Sequence, residues 1–370
     1  MPLKIFHTAD LHIGMKFNNY PEPIKGALQQ ARLDSLKNMV KMADQHGCNL
    51  FVISGDLFNG ISGIDKKTIA SVVTALESFQ GQCVLVMPGN HDYDNNLVDL
   101  WTSFNQRASD KILFINHEQP YSLTDFDINA VVYPAPCHSK HSDTNNLGWI
   151  REQDIGKGPV NIGIAHGAII GISPDMDSNY FNMTLDELND IPMDVWLLGH
   201  THITYPPKAS VAQCKIFNPG TPEPDGLDCK HRGNAWIITI DDNKAVDAET
   251  VTIGNYQFVD RNYTVRQRED LDTIRTDLLK VEPSKTVARI HIRGKVEEDV
   301  FTYRQEVYKA IEESIGYLVI DDSDLGIKIT NEKIKKEFSD GSFPQQLLLA
   351  LSDDEEALQL AYELIAEVRK

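Results

Sequence analysis

The chain has 370 residues, enough for two or three domains, and its 41% hydrophobic and 24% charged content excludes a disordered or fibrous protein. Asp plus Glu number 54 against 35 Lys plus Arg, a formal net charge of −19. A surface that acidic repels polyanions, which excludes tight binding of DNA or anionic membranes through bulk electrostatics.

No apolar run approaches the ~18–20 residues that span a bilayer. The opening MPLKIFHTAD has no basic stretch leading into an apolar one, so no export signal is expected. The five cysteines (Cys48, Cys83, Cys137, Cys214, Cys229) are odd in number and form no CxxC. That reads as reduced thiols in a cytoplasmic protein without a zinc knuckle. Cys83, inside the apolar run CVLVM, reads as a small buried hydrophobe rather than a catalytic thiol.

In chain order, LKIF (3–6), NLFVIS (49–54), CVLVM (83–87), VNIGIA (160–165) and VWLL (195–198) are short aliphatic runs that end in Gly or polar residues, the pattern of buried strands. Between them, Leu36, Met39, Val40 and Ala43 fall at helical spacing and are closed by Gly47; Ile69, Val72, Val73 and Leu76 repeat the pattern. A third helix is predicted over 96–105, with Leu97, Leu100, Trp101 and Phe104 on one side. Thr184 with Glu187 is a capping box that opens a short helix. From about 211 the chain reads as strands alone: QCKIFN, NAWIITI and AVDAETVTI. The expected fold is α/β, a two-layer β-sandwich flanked by helices over residues 1–255.

After about 260 the pattern changes to helix (269–281), strand (286–293), helix (300–315) and strand (317–321), a small C-terminal α/β capping domain over 260–325. Residues 256–370 hold 17 basic and 24 acidic residues, so this part is not a basic DNA clamp. A helical tail over 326–370 includes a second capping box, Ser352 to Glu355, and an apolar stripe of Ala357, Ala361, Leu364, Ile365 and Val368. The stripe either docks a partner or packs on its own small domain.

The chemistry lies at the C-terminal end of each strand. LKIF leads to Asp10 and His12, which in extended chain would point to one side. NLFVIS leads to Gly55-Asp56, CVLVM to Gly89-Asn90-His91-Asp92, VNIGIA to His166-Gly167, and VWLL to Gly199-His200-Thr201-His202. A lone histidine after a strand is ordinarily a hydrogen-bonded loop residue, and a lone Gly-Asp a turn. Five such strand ends in one chain point to a converging site. Carboxylate, imidazole and amide oxygen without thiolate suit Mn²⁺, Fe²⁺ or Zn²⁺. His7, His117, His138, His141 and His231 have no such context, and ordinary hydrogen bonding is expected of them.

DxH, GD, GNHD, H and GHTH in this order resemble the calcineurin-like metallophosphoesterase family over about residues 3–240. LKIFHTADLHIG (3–14), NLFVISGDLFN (49–59) and CVLVMPGNHD (83–92) further resemble the SbcD-type DNA repair nucleases and their YhaO-like bacterial relatives. The resemblance implies a metal-dependent DNA nuclease holding two divalent ions, Mn²⁺ first, with Fe²⁺ or Zn²⁺ as alternatives. Asp56 would bridge them; Asp10, His12 and His202 would complete one shell, and Asn90, His166 and His200 the other. A hydroxide activated by the two ions would attack phosphorus, and His91 would protonate the leaving oxygen. Asp92 would orient His91, or alternatively cap its loop.

Nuclease relatives often carry His three positions after the bridging Asp; this chain has Asn59, which can bind a phosphate but cannot donate a proton as an acid. Arg232 is a candidate phosphate contact or an ordinary surface arginine. Trp101 and Phe104 form either a homodimer face on helix 96–105 or a helix core. The resemblance also implies an SbcC-like coiled-coil ATPase as partner. The alternatives are a phosphodiesterase for cyclic nucleotides or other small phosphoesters, and a catalytically silent scaffold, against which the complete ligand set speaks.

Overall fold

The computed structural model describes residues 2–97, 99–174 and 179–368, which fold as two compact units, 1–258 and 259–370. In the first unit β1 (Leu3–Thr8), β2 (Leu50–Ser54), β3 (Cys83–Met87) and β4 (Ile112–Phe114) pair in parallel. Beyond β1 this sheet continues antiparallel through β11 (Asn234–Ile240), β12 (Val246–Thr252) and β9 (Ser210–Ala212), in the order β4-β3-β2-β1-β11-β12-β9. A second sheet contains β5 (Tyr121–Ser122), β6 (Ala130–Ala135), β7 (Val160–His166), β8 (Val195–Gly199) and β10 (Ile216–Phe217), ordered β10-β8-β7-β6-β5. In it β6, β7, β8 and β10 run parallel, and β5 is antiparallel.

The five strands read as unbroken apolar runs because both of their faces are buried. Leu50, Val52, Cys83, Leu85 and Met87 meet Ile162, Ile164, Val195 and Leu197 between the sheets. The alternate residues Phe51, Ile53, Val84 and Val86 face helices α1 (Ile24–Gln45), α2 (Lys66–Glu77) and α3 (Asp99–Asn105). On the far side, Ala165, Trp196 and Leu198 pack against α4 (Gly148–Arg151) and α5 (Leu185–Asp190). The result is the expected two-layer β-sandwich flanked by helices.

Several boundaries move from their predicted places. Helix α1 begins at Ile24, well before the Leu36–Ala43 period read in the sequence, and it buries Arg32 and Ser35 along with its apolar residues, which hides the helical period of its earlier turns. Helix α3 starts at Asp99; Asn96 has φ +59° and cannot belong to a helix, and Leu97 is 85% exposed rather than on the core side. Trp101 and Phe104 are buried in the core beneath the first sheet, which takes their rings away from any dimer face. The Thr184–Glu187 capping box forms as expected and opens α5.

In the second unit β13 (Gln257–Thr264), β14 (Thr286–Val296) and β15 (Tyr317–Ile327) form a sheet in that order, with β14 and β15 parallel. Helices α6 (Arg268–Leu278) and α7 (Glu298–Glu312) place Leu271, Ile274, Val307 and Ile311 on Ala288, Ile290 and Ile292. Strand β15 runs on to Ile327, past its predicted end, because the DDSD stretch keeps its polar side chains off the core. A separate small cluster joins α8 (Asn331–Glu337), α9 (Phe343–Ala350) and α10 (Glu355–Val368) through Ile334, Phe338, Leu348 and Leu358. Here Asp354, not Ser352, caps the last helix, its Oδ1 accepting the Ala357 N–H at 3.0 Å. The side chain of Glu355 lies outside the described residues. The packed face of α10 is Leu358, Ala361, Tyr362 and Ile365, whereas Leu364 and Val368 of the expected stripe are 54% and 88% exposed.

Candidate metal centre

All five strands that end in donor residues are parallel members of one sheet or the other, so their C-terminal ends lie at the same edge of the sandwich. The loops after β1 and β2 stay paired beyond the strands: Asp10 N–H donates to Gly55 O at 3.1 Å, and His12 N–H to Asp56 O at 2.9 Å. Asp10, His12 and Asp56 have φ values of +57°, +47° and +55°, so the Asp10–His12 segment is not extended as its spacing suggested. It is this inter-loop pairing that aims both side chains inward. Glycines make room for them: at Gly55 (φ +100°) a Cβ would collide with the His166 ring, and at Gly89 with Asp56.

The seven expected ligands converge. His12 Nε2 lies 3.2 Å from His202 Nε2, and His202 Nε2 lies 4.0 Å from Asp10 Oδ1. Asn90 Oδ1 is 3.0 Å from both His166 Nε2 and His200 Nδ1. Asp56 sits between these groups, its Oδ2 being 3.8 Å from His12 Nε2 and 3.4 Å from His166 Nε2. Asp10, His12, Asp56, Asn90 and His166 are all buried. The donor atoms form three overlapping groups: Asp10, His12, His202; His12, Asp56, His91; and Asp10, Asp56, His166.

Hydrogen bonding shows that this arrangement fits cations. His166 Nδ1 faces the Ser54 carbonyl at 2.8 Å, which can only accept, so Nδ1 carries the hydrogen. In the neutral ring Nε2 then presents a lone pair to Asn90 Oδ1 and Asp56 Oδ2, three acceptors facing one another. His202 repeats the logic, with Nδ1 3.3 Å from Asp225 Oδ2 and Nε2 facing His12 Nε2. Clustered lone pairs need a positive charge among them. The field agrees: although burial pulls both rings down, Asp56 and Asp10 push His166 up to about 9, and Asp225 and Asp10 push His202 up to about 9. Burial would raise the Asp56 carboxyl, but the neighbouring imidazoles hold it well below the usual range. The carboxylates that favour a proton on these two imidazoles attract divalent ions for the same reason.

His91 is half-buried at the margin of the constellation, its ring edge-on to His12 at 4.8 Å and its N–H donating to Asp56 Oδ1 at 2.8 Å. Asp92 serves its loop: Oδ2 accepts from Phe58 N–H at 2.9 Å and Oδ1 from Gly89 N–H at 2.7 Å. Each oxygen thus caps a backbone amide of the loop, the arrangement the capping alternative describes. Asn59 is half-buried, its N–H bonded to Ile13 O at 3.0 Å. Arg232 is half-buried just before β11, where its carbonyl lies against Gly254.

Other residues of the site carried no sequence signal. Neighbouring His231 bonds His202 O through Nε2 at 2.8 Å. Asp225 and the buried Arg32 flank His202, and Tyr180 lies against the His200 ring at 4.8 Å. The ring of His7, which burial pushes down to about 3, meets Ser54 Oγ at 2.8 Å as a neutral prop for that strand end. All of these depend on contacts between distant segments, which no local pattern announces.

Residues 3–204 match the family model for calcineurin-like phosphoesterases. The chain belongs to that family. The clustered donors Asp10, His12, Asp56, His91, His166 and His202 all lie within the matched residues. It is 25% identical over 211 residues to the uncharacterized metallophosphoesterase YhaO of Bacillus subtilis (strain 168), a match covering 54% of this chain and 48% of that protein. The chain thus spans about half the length of this curated relative. A crystal structure of a dimetal phosphatase from Danio rerio aligns with 68% of this chain and 100% of its own, at 11% identity and a TM-score of 0.36. No described helix of this calcineurin-like phosphoesterase is long and apolar enough to cross a membrane.

Proposed function

We propose that this phosphoesterase is a phosphodiesterase of the SbcD type, a DNA nuclease that holds two divalent ions, with Mn²⁺ as the preferred metal. The observation that carries the hydrolytic reading is the ring of facing acceptors around Asp56, with His91 at its rim. Asp10, His12 and His202 would hold one ion, Asn90, His166 and His200 the other, and Asp56 would serve both. When bound, the ions supply Lewis acidity, neutralising phosphoryl oxygens and making a water acidic enough to lose its proton near neutral pH. The chain does the rest. Strand ends and inter-loop hydrogen bonds fix the donors, Gly55 and Gly89 let them approach, and Asp92 holds the His91 loop in shape. His91 Nε2 or Nδ1 would deliver a proton to the departing oxygen.

Support for DNA comes from the wording of the motifs over 3–14, 49–59 and 83–92 and from the additional α/β unit after 258. The acidity of the chain makes a partner that delivers DNA part of the proposal: a coiled-coil ATPase of the SbcC kind. Exposed Leu360, Leu364 and Val368 on α10 offer it an apolar contact. A second reading, hydrolysis of cyclic nucleotides or other small phosphoesters, is favoured by Asn59 in place of a histidine and by the net charge of −19. A Mn²⁺-supplemented assay comparing single- and double-stranded DNA with cyclic nucleotides separates the two. Release of nucleotides from DNA is the expected result; hydrolysis confined to the small substrates would overturn the nuclease reading.

A further inference from the structure

We propose that Asp225 is a positioning residue for His202: it holds the imidazole in the tautomer and orientation that present Nε2 to a cation, and Arg32 fixes Asp225 from behind. The proposal rests on the reading of His202 as a metal ligand. Of the imidazoles around Asp56, His12 and His166 have side chains 3% and 0% exposed, so packing fixes them. The His202 side chain is 34% exposed and needs another restraint. His166 obtains its orientation from a backbone carbonyl, Ser54 O, whereas His202 Nδ1 faces a carboxylate oxygen of Asp225 at 3.3 Å. An imidazole whose Nδ1–H is held by a carboxylate has its other nitrogen free as a ligand and made more basic.

The segment that carries Asp225 is built to hold it still. Thr221 Oγ1 donates to Asp10 O at 3.0 Å, tying residues 221–225 to the loop after β1. Glu223, 1% exposed, accepts from Ser35 Oγ at 2.5 Å, Asn255 N–H at 2.8 Å and Tyr256 N–H at 2.8 Å. Arg32, on α1 with a side chain 0% exposed, places Nη2 3.8 Å from Asp225 Oδ2. The same guanidinium donates from Nη1 to Leu11 O at 2.7 Å, between Asp10 and His12. One buried cation therefore joins the carboxylate behind His202 to the loop of the other two donors in its group. The two ion positions differ in consequence: one leans on backbone, the other on a charged side-chain relay.

The test is Mn²⁺ binding by titration calorimetry with the full chain, in wild type, His202→Ala, Asp225→Ala and the near-isosteric Asp225→Asn. Asp225→Ala is expected to weaken one of two Mn²⁺ ions by about 10–100-fold and leave the other within about twofold. Asp225→Asn, which keeps an acceptor for Nδ1–H, should recover most of that loss, a rescue that a merely structural role for the segment would not give. Two wild-type affinities in Asp225→Ala, alongside a lost ion in His202→Ala, would overturn the positioning role alone. Two full-affinity ions in His202→Ala would overturn the ligand reading, and this proposal with it.

Discussion

His91 and Asp92 are adjacent in sequence yet do different work. The Asp92 carboxylate spends both oxygens on backbone amides, while the His91 ring stands beside His12 with its backbone on Asp56. His91→Ala should therefore retain Mn²⁺ binding and lose about 10²–10⁴-fold in kcat, the usual yield of a general acid; cleavage at the wild-type rate would remove the assignment. Asp10, His12, Asp56 and His200 all have positive φ, from +47° to +89°. Such backbone costs on the order of 1–3 kcal/mol per residue and persists where surrounding contacts impose it, as the paired loops and Asp10 carboxylate do here. The residue types were legible in DxH and GNHD, but this geometry was not, since it arises from the loop after β1 bonding the loop after β2.

At the scale of elements, strand and helix types were readable because the apolar periods are simple where a segment is buried on one or both faces. Helix α3 shows where reading fails. Its four apolar residues suggested a start at Asn96, but only Leu100, Trp101 and Phe104 go to the core. Trp101 also donates from Nε1 to Asp92 O at 2.6 Å, so the helix braces the GNHD loop as well as the sheet. Trp101→Ala should destabilise the first unit by about 3–5 kcal/mol in urea unfolding. Trp101→Phe, which keeps most of the volume but leaves that carbonyl without its donor, should cost about 1–2 kcal/mol. An alanine variant as stable as wild type would contradict the core placement. In α10 the sequence pattern was partly right: Ala361 and Ile365 pack as expected, joined by Leu358 and Tyr362, whereas Leu364 and Val368 face out, because the cluster with α8 and α9 covers only one side of the helix.

For the whole molecule, charge and site pull in opposite directions. A net charge of −19 opposes DNA, whereas the acceptor cluster requires cations that offset part of that charge locally. DNA binding by the isolated chain should accordingly be weak and fall at least tenfold between about 50 and 200 mM salt, while turnover of a small phosphodiester changes little. Tight, salt-insensitive DNA binding in a filter or anisotropy assay would refute this balance. By itself the amino-acid sequence determined the alternation of buried strands and helices, the family and the set of donor residues, because apolar period and residue chemistry are local properties. The tertiary structure alone decided which nitrogen of His12, His166, His200 and His202 faces the centre, that Asp92 caps a loop, that Trp101 is core, and that Asp225 and Arg32 stand behind His202. Those are matters of orientation and distance between segments that lie about 190 residues apart for His12 and His202 and for Arg32 and Asp225, fixed only when the two sheets close against each other.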